Sequence, residues 1–507
     1  MKFNIPKEVI SAIKKLEEGG FKAYLVGGCV RDLLFSAEGD SPVEPKDWDI
    51  ATNAKPEEIQ KIFPDSVYEN SFGTVGVKTR ADDPRLKILE ITTFRLEGKY
   101  TDKRHPDEIK FAQTIEEDLS RRDFTVNAMA LQKIGAKNDA TDWEIIDPFD
   151  GQKDLKNKII RAVGDPEARF NEDALRLMRA VRFAVQLESN SKETKKSWQI
   201  EMETRRAIEE NAKNLGMIAA ERIRDELIKI LICRKAKEGI DLLEELDLLL
   251  YVLPELRAGL GIGQNKHHIF TVFEHNVNAL EYAASQKYPL EIRLASLLHD
   301  VGKPQTKQGD GPDSTFYNHE IVGAKITAKA LARLKFPKEI IEKVTHLVRY
   351  HLFYYNVGEV TEAGVRRFLR RVGPENIDDL MKVREADRIG SGVPKAFPYK
   401  LRHLLFMIEK VKHDPISPKM LEIDGSDVMK ILNIGPGPKV GQILSVLLEE
   451  LLDDPSKNTK EKLDLRIKEL GKLNNEELEK LSKRAREKKD EFESGAEEEI
   501  KKKYYVK

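Results

Sequence analysis

Apolar residues recur at helical spacing over residues 7–18, so the chain opens on an amphipathic helix. Short apolar runs bounded by Gly, Asp and Pro follow at 23–27, 47–52, 74–79, 87–94 and 126–132, and these predict strands. Between 96 and 108 the chain is polar, Leu96-Glu97-Gly98-Lys99-Tyr100-Thr101, and reads as a loop. From about 152 the pattern turns helical and stays so, with apolar faces at 171–187 and 219–232. Glycines at 259, 261 and 263 mark a boundary, after which a histidine-bearing helical region runs to about 412. Residues 420–453 predict two helices around Gly435-Pro436-Gly437-Pro438. From Pro455 the chain is rich in Lys and Glu, which predicts a solvated helix with frayed parts. The expected class is α+β, a small mixed-sheet head followed by all-helical regions. The boundaries are 1–150, 151–260, 261–412, 413–454 and 455–507.

Composition narrows the picture only slightly. Net charge is −1, so any contact with nucleic acid must rest on local basic patches. Two cysteines, Cys29 and Cys233, exclude a disulfide framework and a CxxC metal site. No apolar run reaches the ~20 residues of a membrane span, and the first residues have no apolar signal core. A cytoplasmic protein is expected.

The chemistry begins at Asp47 and Asp49 in Lys46-Asp47-Trp48-Asp49-Ile50. On a strand, residues two apart share a face, so the carboxylates would lie side by side. Such a pair resists joint ionisation unless a cation lies between them, and Mg²⁺ suits carboxylates plus phosphate oxygens. Upstream stands the turn Val26-Gly27-Gly28-Cys29-Val30-Arg31, whose backbone N–H groups could meet phosphate. Alone, an Asp-x-Asp pair equally fits a solvated strand edge. Arg121-Arg122 enters a predicted strand and could offer forked donors to a triphosphate; a surface pair reads the same way. Asp173, Arg176, Arg179 and Arg182 are spaced by three within 171–187. Read as one helix, Asp173 and Arg176 act together while Arg179 and Arg182 reach elsewhere. The apolar residues around them argue against a plain surface ladder.

Together the segments LVGGCVRDLL, DWDIAT, RRDFTVNAMA and EDALRLMRAVRFA resemble the nucleotidyltransferase family of tRNA CCA-adding enzymes and bacterial poly(A) polymerases, over the first ~230 residues. The resemblance implies a five-stranded head with a helical neck. It implies that Asp47 and Asp49 are catalytic and hold Mg²⁺, with Glu90 a weaker third carboxylate. Gly27, Gly28, Arg31 and Arg122 would bind the triphosphate. Asp173 and Arg176 would read the base, with Arg179 and Arg182 completing the pocket. An acceptor–donor pair of this kind matches the Watson–Crick edges of cytosine and adenine and opposes those of uracil and guanine, so CTP and ATP are the expected substrates; tRNA as the partner is implied by the resemblance.

His275, His299-Asp300 and Asp387 stand in the order of an HD-type phosphohydrolase, and His319 and His351 resemble the extra ligands of two-metal members. A divalent transition metal or Mg²⁺ is implied there. The unit at 420–453 resembles the tail of longer bacterial members; there Lys430 and Lys439 would face RNA phosphates, or the turn is a simple packing hairpin. The expected activity is CCA addition. CC-addition, A-addition and poly(A) synthesis share the motifs. From a different class, an HD phosphohydrolase would use the head only to bind RNA or nucleotide.

Overall fold

The computed structural model describes residues 3–37, 44–68, 73–97, 109–134, 142–190, 197–265 and 269–487. The polar loop beyond residue 97 and the tail beyond 487 lie outside these residues. The chain divides into two compact units, one built from 1–260 with 284–290 and 330–337, the other from 261–283, 291–329 and 338–507. Among the described residues no helix is long and apolar enough to cross a membrane.

In the first unit the helix Lys7–Glu18 forms as expected and buries Val9, Ile13 and Leu16. The strands up to residue 146 are β1 (Ala23–Val26), β2 (Asp49–Thr52), β3 (Ser66–Tyr68), β4 (Thr74–Lys78), β5 (Ile88–Thr93), β6 (Arg95–Glu97), β7 (Ile109–Phe111), β8 (Ala130–Lys133) and β9 (Trp143–Ile146), and a two-residue pair, Ile159–Ile160 with Gln199–Ile200, follows. Seven of them make one mixed sheet in the order β3-β4-β5-β2-β1-β8-β9, and β6 with β7 forms a separate hairpin. Five strands were expected; the two additional ones, β3 and β9, are short edge strands. Within this sheet only β2 and β5 pair in parallel, and their register sets Asp49 beside Glu90. One face buries Tyr24, Val26, Ala51, Phe94, Ile115, Leu119 and Ala130 together.

Two expected strands start late. β2 begins at Asp49, so Asp47 precedes the strand, yet the alternation persists: Trp48 and Ile50 are buried while Asp47 is exposed. Residues 125–127 form a 3-10 turn instead of strand. Thr125 donates to Asp154 (2.8 Å) and Asn127 accepts from Arg31, so side-chain bonds to distant parts of the chain hold this turn.

The single helix expected at 171–187 is two, Pro166–Glu172 and Leu175–Asn190. Asp173 lies between them in extended backbone, and its carboxylate accepts from the Leu175 N–H at 3.0 Å. An aspartate in that position caps the next helix, a preference that outweighs helical spacing.

The second unit is helical. Its C-terminal part is better packed than a solvated tail: Leu463, Ile467, Leu470 and Leu478 join Ile443, Leu447 and Leu451 in one core. The Lys/Glu richness of 460–482 belongs to the outer faces of those helices. The glycines of the 435–438 turn are exposed. Lys439, expected to face RNA phosphates, instead donates to the carbonyls of Gly471 and Leu473 (3.0 and 3.3 Å), closing a helix end.

Candidate functional site

At the head, Gly27 leaves β1 with φ +76 and the helix Gly28–Ala37 begins at once. The conformation favours glycine, and so does the space: a Cβ there would lie 2.8 Å from Arg122 Nη1 and 3.7 Å from Asp49 Oδ2. The turn, Arg122 and Asp49 therefore converge on one point. Burial holds the Asp49 carboxyl above its ordinary range, with Arg122 opposing and the charge of Asp47 adding to the rise. A carboxylate pair kept costly in this way fits a hard divalent cation. The Glu90 carboxylate is the third group on this strand pair, one register position across from Asp49. Cys29, buried beside Asp49, is pushed up to about 12 by burial first and the carboxylate second, and stays a thiol.

Arginines surround the turn. Arg31 is buried and donates to Asn127 Oδ1 (2.6 Å) and Asp32 Oδ1 (2.7 Å). Arg122 donates to Asp118, which Arg121 also holds at 2.8 Å. Burial alone would raise the Asp118 carboxyl; the two guanidiniums keep it below its usual range. Phe183 has three guanidiniums about its ring: Arg182 at 4.2 Å, Arg179 at 5.4 Å and Arg31 at 5.5 Å from the centroid. Burial and the repulsion of Arg179 bring Arg182 down to about 10. The Nε atoms of Arg122 and Arg182 are buried with no acceptor among the described residues. Crowded cations with unspent donors fit a polyanion such as a triphosphate.

Three anchors escaped the sequence reading. Asp123 bonds the Arg179 Nε at 2.7 Å; burial works against its charge, yet Arg179 and Arg176 hold it at about 2. Glu226 pairs with Arg182 at 3.2 Å. Arg222 grips both oxygens of Asp173, at 3.2 and 2.7 Å. Arg222 and Glu226 share one face of the helix Ala220–Leu231, and paired charges at i and i+4 on an otherwise apolar face were the available signal. Arg176 donates to Glu172 (2.6 Å) and to the carbonyls of Arg169 and Arg121. Asp173 and Arg176 are thus tethered to different partners, Arg222 and Glu172.

In the second unit the six expected ligands meet. His275, His299 and Asp387 form one buried group, and Asp300, His319 and His351 another, each with its ligand atoms within 4.8 Å. Asp300 faces both. Its Oδ2 lies 3.2 Å from His275 Nε2 and 3.4 Å from His299 Nε2, its Oδ1 3.3 Å from His319 Nε2 and 3.5 Å from His351 Nε2. The Nδ1 atoms of His299, His319 and His351 lie 2.7–2.8 Å from the carbonyls of Ser296, Phe316 and Val348, which leaves Nε2 of each as the atom to bind a metal, that of His299 lying 2.8 Å from His275 Nε2. Imidazole with carboxylate in a dry pocket fits a divalent transition metal. Gly302 permits the approach: a Cβ there would lie 2.2 Å from the His319 carbonyl oxygen. Lys303, which the sequence reading passed over, reaches Asp300 Oδ2 (2.5 Å) and Gln264 Oε1 (2.6 Å). Burial opposes the Asp300 charge, yet Lys303 and His299 hold its carboxyl well below the usual range. His346 stands apart, its Nε2 on the Val372 carbonyl.

A mixed-sheet head with paired carboxylates at a glycine turn, an arginine-lined neck and a six-ligand HD centre define a nucleotidyltransferase fused to an HD domain. Family models agree: the poly A polymerase head domain matches 23–161, the probable RNA and SrmB-binding site of polymerase A matches 198–260, and the HD domain matches 272–391. The chain belongs to the tRNA nucleotidyltransferase and poly(A) polymerase family. It is 36% identical over 357 residues to the A-adding tRNA nucleotidyltransferase of Deinococcus radiodurans, covering 68% of this chain and 76% of that one. It is 45% identical over 252 residues to the CCA-adding enzyme of Ligilactobacillus salivarius, covering 49% of this chain and 55% of the relative, so it spans about half the length of that protein. The crystal structure of the Bacillus stearothermophilus CCA-adding enzyme with CTP superposes with TM-score 0.63 at 28% identity, covering 91% and 96% of the two chains.

Proposed function

We propose that the chain adds C, C and A to tRNA 3′ ends from CTP and ATP. The convergence of Asp49 and Arg122 on the Gly27 turn, with the charge of Asp47 acting on Asp49, carries this reading. The RNA 3′ oxygen attacks the α-phosphorus, the new phosphodiester forms and pyrophosphate leaves. Asp47 and Asp49 would hold Mg²⁺, which supplies activation of the 3′-hydroxyl and charge neutralisation on the departing pyrophosphate. Gly28 and Arg31 hold the triphosphate with Arg122, and Gly27 shapes the turn. Arg179 and Arg182 neutralise it from the neck side, positioned by Asp123 and Glu226.

Asp173 accepts from the exocyclic amino group of cytosine or adenine. Arg222 fixes the plane of that carboxylate and leaves Oδ2 lone-pair capacity for the base. Arg176 donates to the adjacent ring nitrogen after exchanging Glu172 for it. Uracil and guanine invert both contacts and leave buried groups unpaired, at about 1–3 kcal/mol each. Replacing Arg222 with Ala is therefore expected to lower kcat/KM for CTP and ATP about tenfold to a hundredfold, as loss of positioning does, and to narrow their margin over UTP and GTP. Steady-state kinetics with each nucleotide read this, and Arg222→Lys should recover part of the loss. Unchanged selectivity would mean that Asp173 does not read the base.

The deciding assay uses purified protein, Mg²⁺ and tRNA ending at its discriminator base, with each labelled nucleotide alone and then CTP with ATP. Addition of CCA and nothing longer is expected. Incorporation only on tRNA already ending in CC would establish A-addition, the second reading, which the similarity to the Deinococcus radiodurans protein over 68% of this chain favours. A long A tail would establish a poly(A) polymerase.

For the second unit the proposed activity is metal-dependent hydrolysis of phosphate esters, with 2′,3′-cyclic phosphates or phosphomonoesters of RNA ends or nucleotides as candidates. The six ligands would hold one or two divalent cations, and Lys303 would stand over the substrate phosphate once an ion takes its place on Asp300.

A further inference from the structure

The helix Tyr399–Val411 turns an aromatic row outward. Tyr399 is 62% and Phe406 61% exposed, unusual for rings of this size. Neither is loose. Each packs against His403, at 5.9 and 5.8 Å between centroids, and His403 is fixed from below by the Tyr355 hydroxyl, 2.6 Å from its Nδ1. The row is therefore a rigid platform with little ordering entropy left to lose.

Five Lys or Arg residues lie between 395 and 412; Lys410 pairs with Glu362 and Lys412 with Glu409, which leaves three cations at the N-terminal end of the row. Lys395 and Arg402 are exposed and have no acidic partner among the described residues, and Lys400 bonds only to the neutral Asn356. The platform is also tied to the HD centre through the chain. Tyr355 follows His351 by four residues, and Arg388, next to Asp387, bonds the Lys395 carbonyl at 3.3 Å.

We propose that this face binds single-stranded RNA, with bases stacked on Tyr399 and Phe406 and phosphates against Lys395, Lys400 and Arg402. Flat apolar rings among unpaired cations match a strand that offers flat bases and a polyanionic backbone. A duplex hides its base faces and cannot use the rings. A second copy of this chain would bring two cationic faces together and be repelled. RNA is the choice over other anions because the first unit already acts on RNA ends in the proposed function. The binding itself does not require the HD centre to be active.

The test is site-specific crosslinking with the full chain. A 12-nucleotide RNA containing 4-thiouridine is titrated in, irradiated, and the crosslinked peptides identified, so that occupancy of the 395–410 region is followed separately from that of residues 1–260. Saturable crosslinking within 395–410 is expected. Tyr399→Ala with Phe406→Ala should raise the half-saturation concentration there at least about tenfold, since stacking is worth about 1–3 kcal/mol per base. Lys400→Gln with Arg402→Gln should flatten its salt dependence by about 0.7 in log–log slope per lost phosphate contact. Thermal melts confirm that the exposed substitutions leave the fold intact. Crosslinks confined to residues 1–260, or half-saturation unmoved by loss of both rings, would overturn the proposal. So would equal binding of a duplex of the same sequence. A wild-type dimer in sedimentation that the ring substitutions dissociate would assign the face to self-association instead. Crosslinking at 395–410 in a wild-type chain that releases no phosphate would support this proposal and count against the HD reading alone.

Discussion

Asp49→Asn is expected to abolish nucleotide incorporation, by at least about a thousandfold or about 4 kcal/mol of transition-state stabilisation, while raising thermal stability in the absence of divalent cation. The two effects share one cause. Burial first, and then Asp47, hold the Asp49 carboxyl above its ordinary value. A carboxyl whose folded pKa is raised favours the fold while protonated. That contribution is complete below the unfolded pKa and is lost as pH rises through the folded one. At neutral pH the ionised Asp49 is thus a liability that the amide removes. Adding Mg²⁺ should reverse the order, because only the wild type gains an ion. Differential scanning calorimetry with and without Mg²⁺, beside the incorporation assay, checks both. If Asp49→Asn lowered the melting temperature without metal, the carboxylate would be a structural group. Phosphate release by the second unit should be untouched, since none of its ligands lies in the first.

Asp300→Asn is expected to empty the HD centre. Each of its oxygens faces a different pair of imidazoles, so one substitution weakens both ligand groups. Metal analysis after loading with Ni²⁺ or Mn²⁺ and desalting should give about two equivalents for the wild type, about one for His319→Ala and near none for Asp300→Asn. Metal-dependent phosphate release should follow the count, and nucleotide addition should persist in both variants. One equivalent in the wild type, unchanged in His319→Ala, would reduce the centre to a single ion held by His275, His299, Asp300 and Asp387. Loss of nucleotide addition in Asp300→Asn would show that the centres are not independent.

What the sequence made legible was chemistry held close along the chain. Asp47 and Asp49 are two residues apart, Gly27 and Gly28 adjoin Arg31, and His299 adjoins Asp300, so local spacing suffices. The HD ligands stood far apart in sequence but were ordered as in a family motif, and the structure gathers all six. The counter-charges were hidden because their partners are distant: Arg222 is 49 residues from Asp173, Glu226 is 44 from Arg182 and Asp123 is 56 from Arg179. A sequence lists charges without saying which cations have already been spent. The break at Asp173 was hidden differently, since a run of three-residue spacings imitates one helix although the aspartate caps a second. The strand β3, with three residues, is too short to show a period.

The three carbonyls that receive Nδ1 of His299, His319 and His351 each come from the residue three positions earlier in the chain. The tautomer of every one of these imidazoles is therefore dictated by peptide groups. Any amino acid at 296, 316 or 348 presents that same carbonyl, provided the local backbone survives. Neighbouring positions can drift in identity without retuning ligand basicity. The tautomers of these three ligands are in this sense insulated from mutation; the side chains that matter are the ligands themselves, the cations Lys303 and Arg384 on their carboxylates, and the few places, such as Gly302, where backbones must touch.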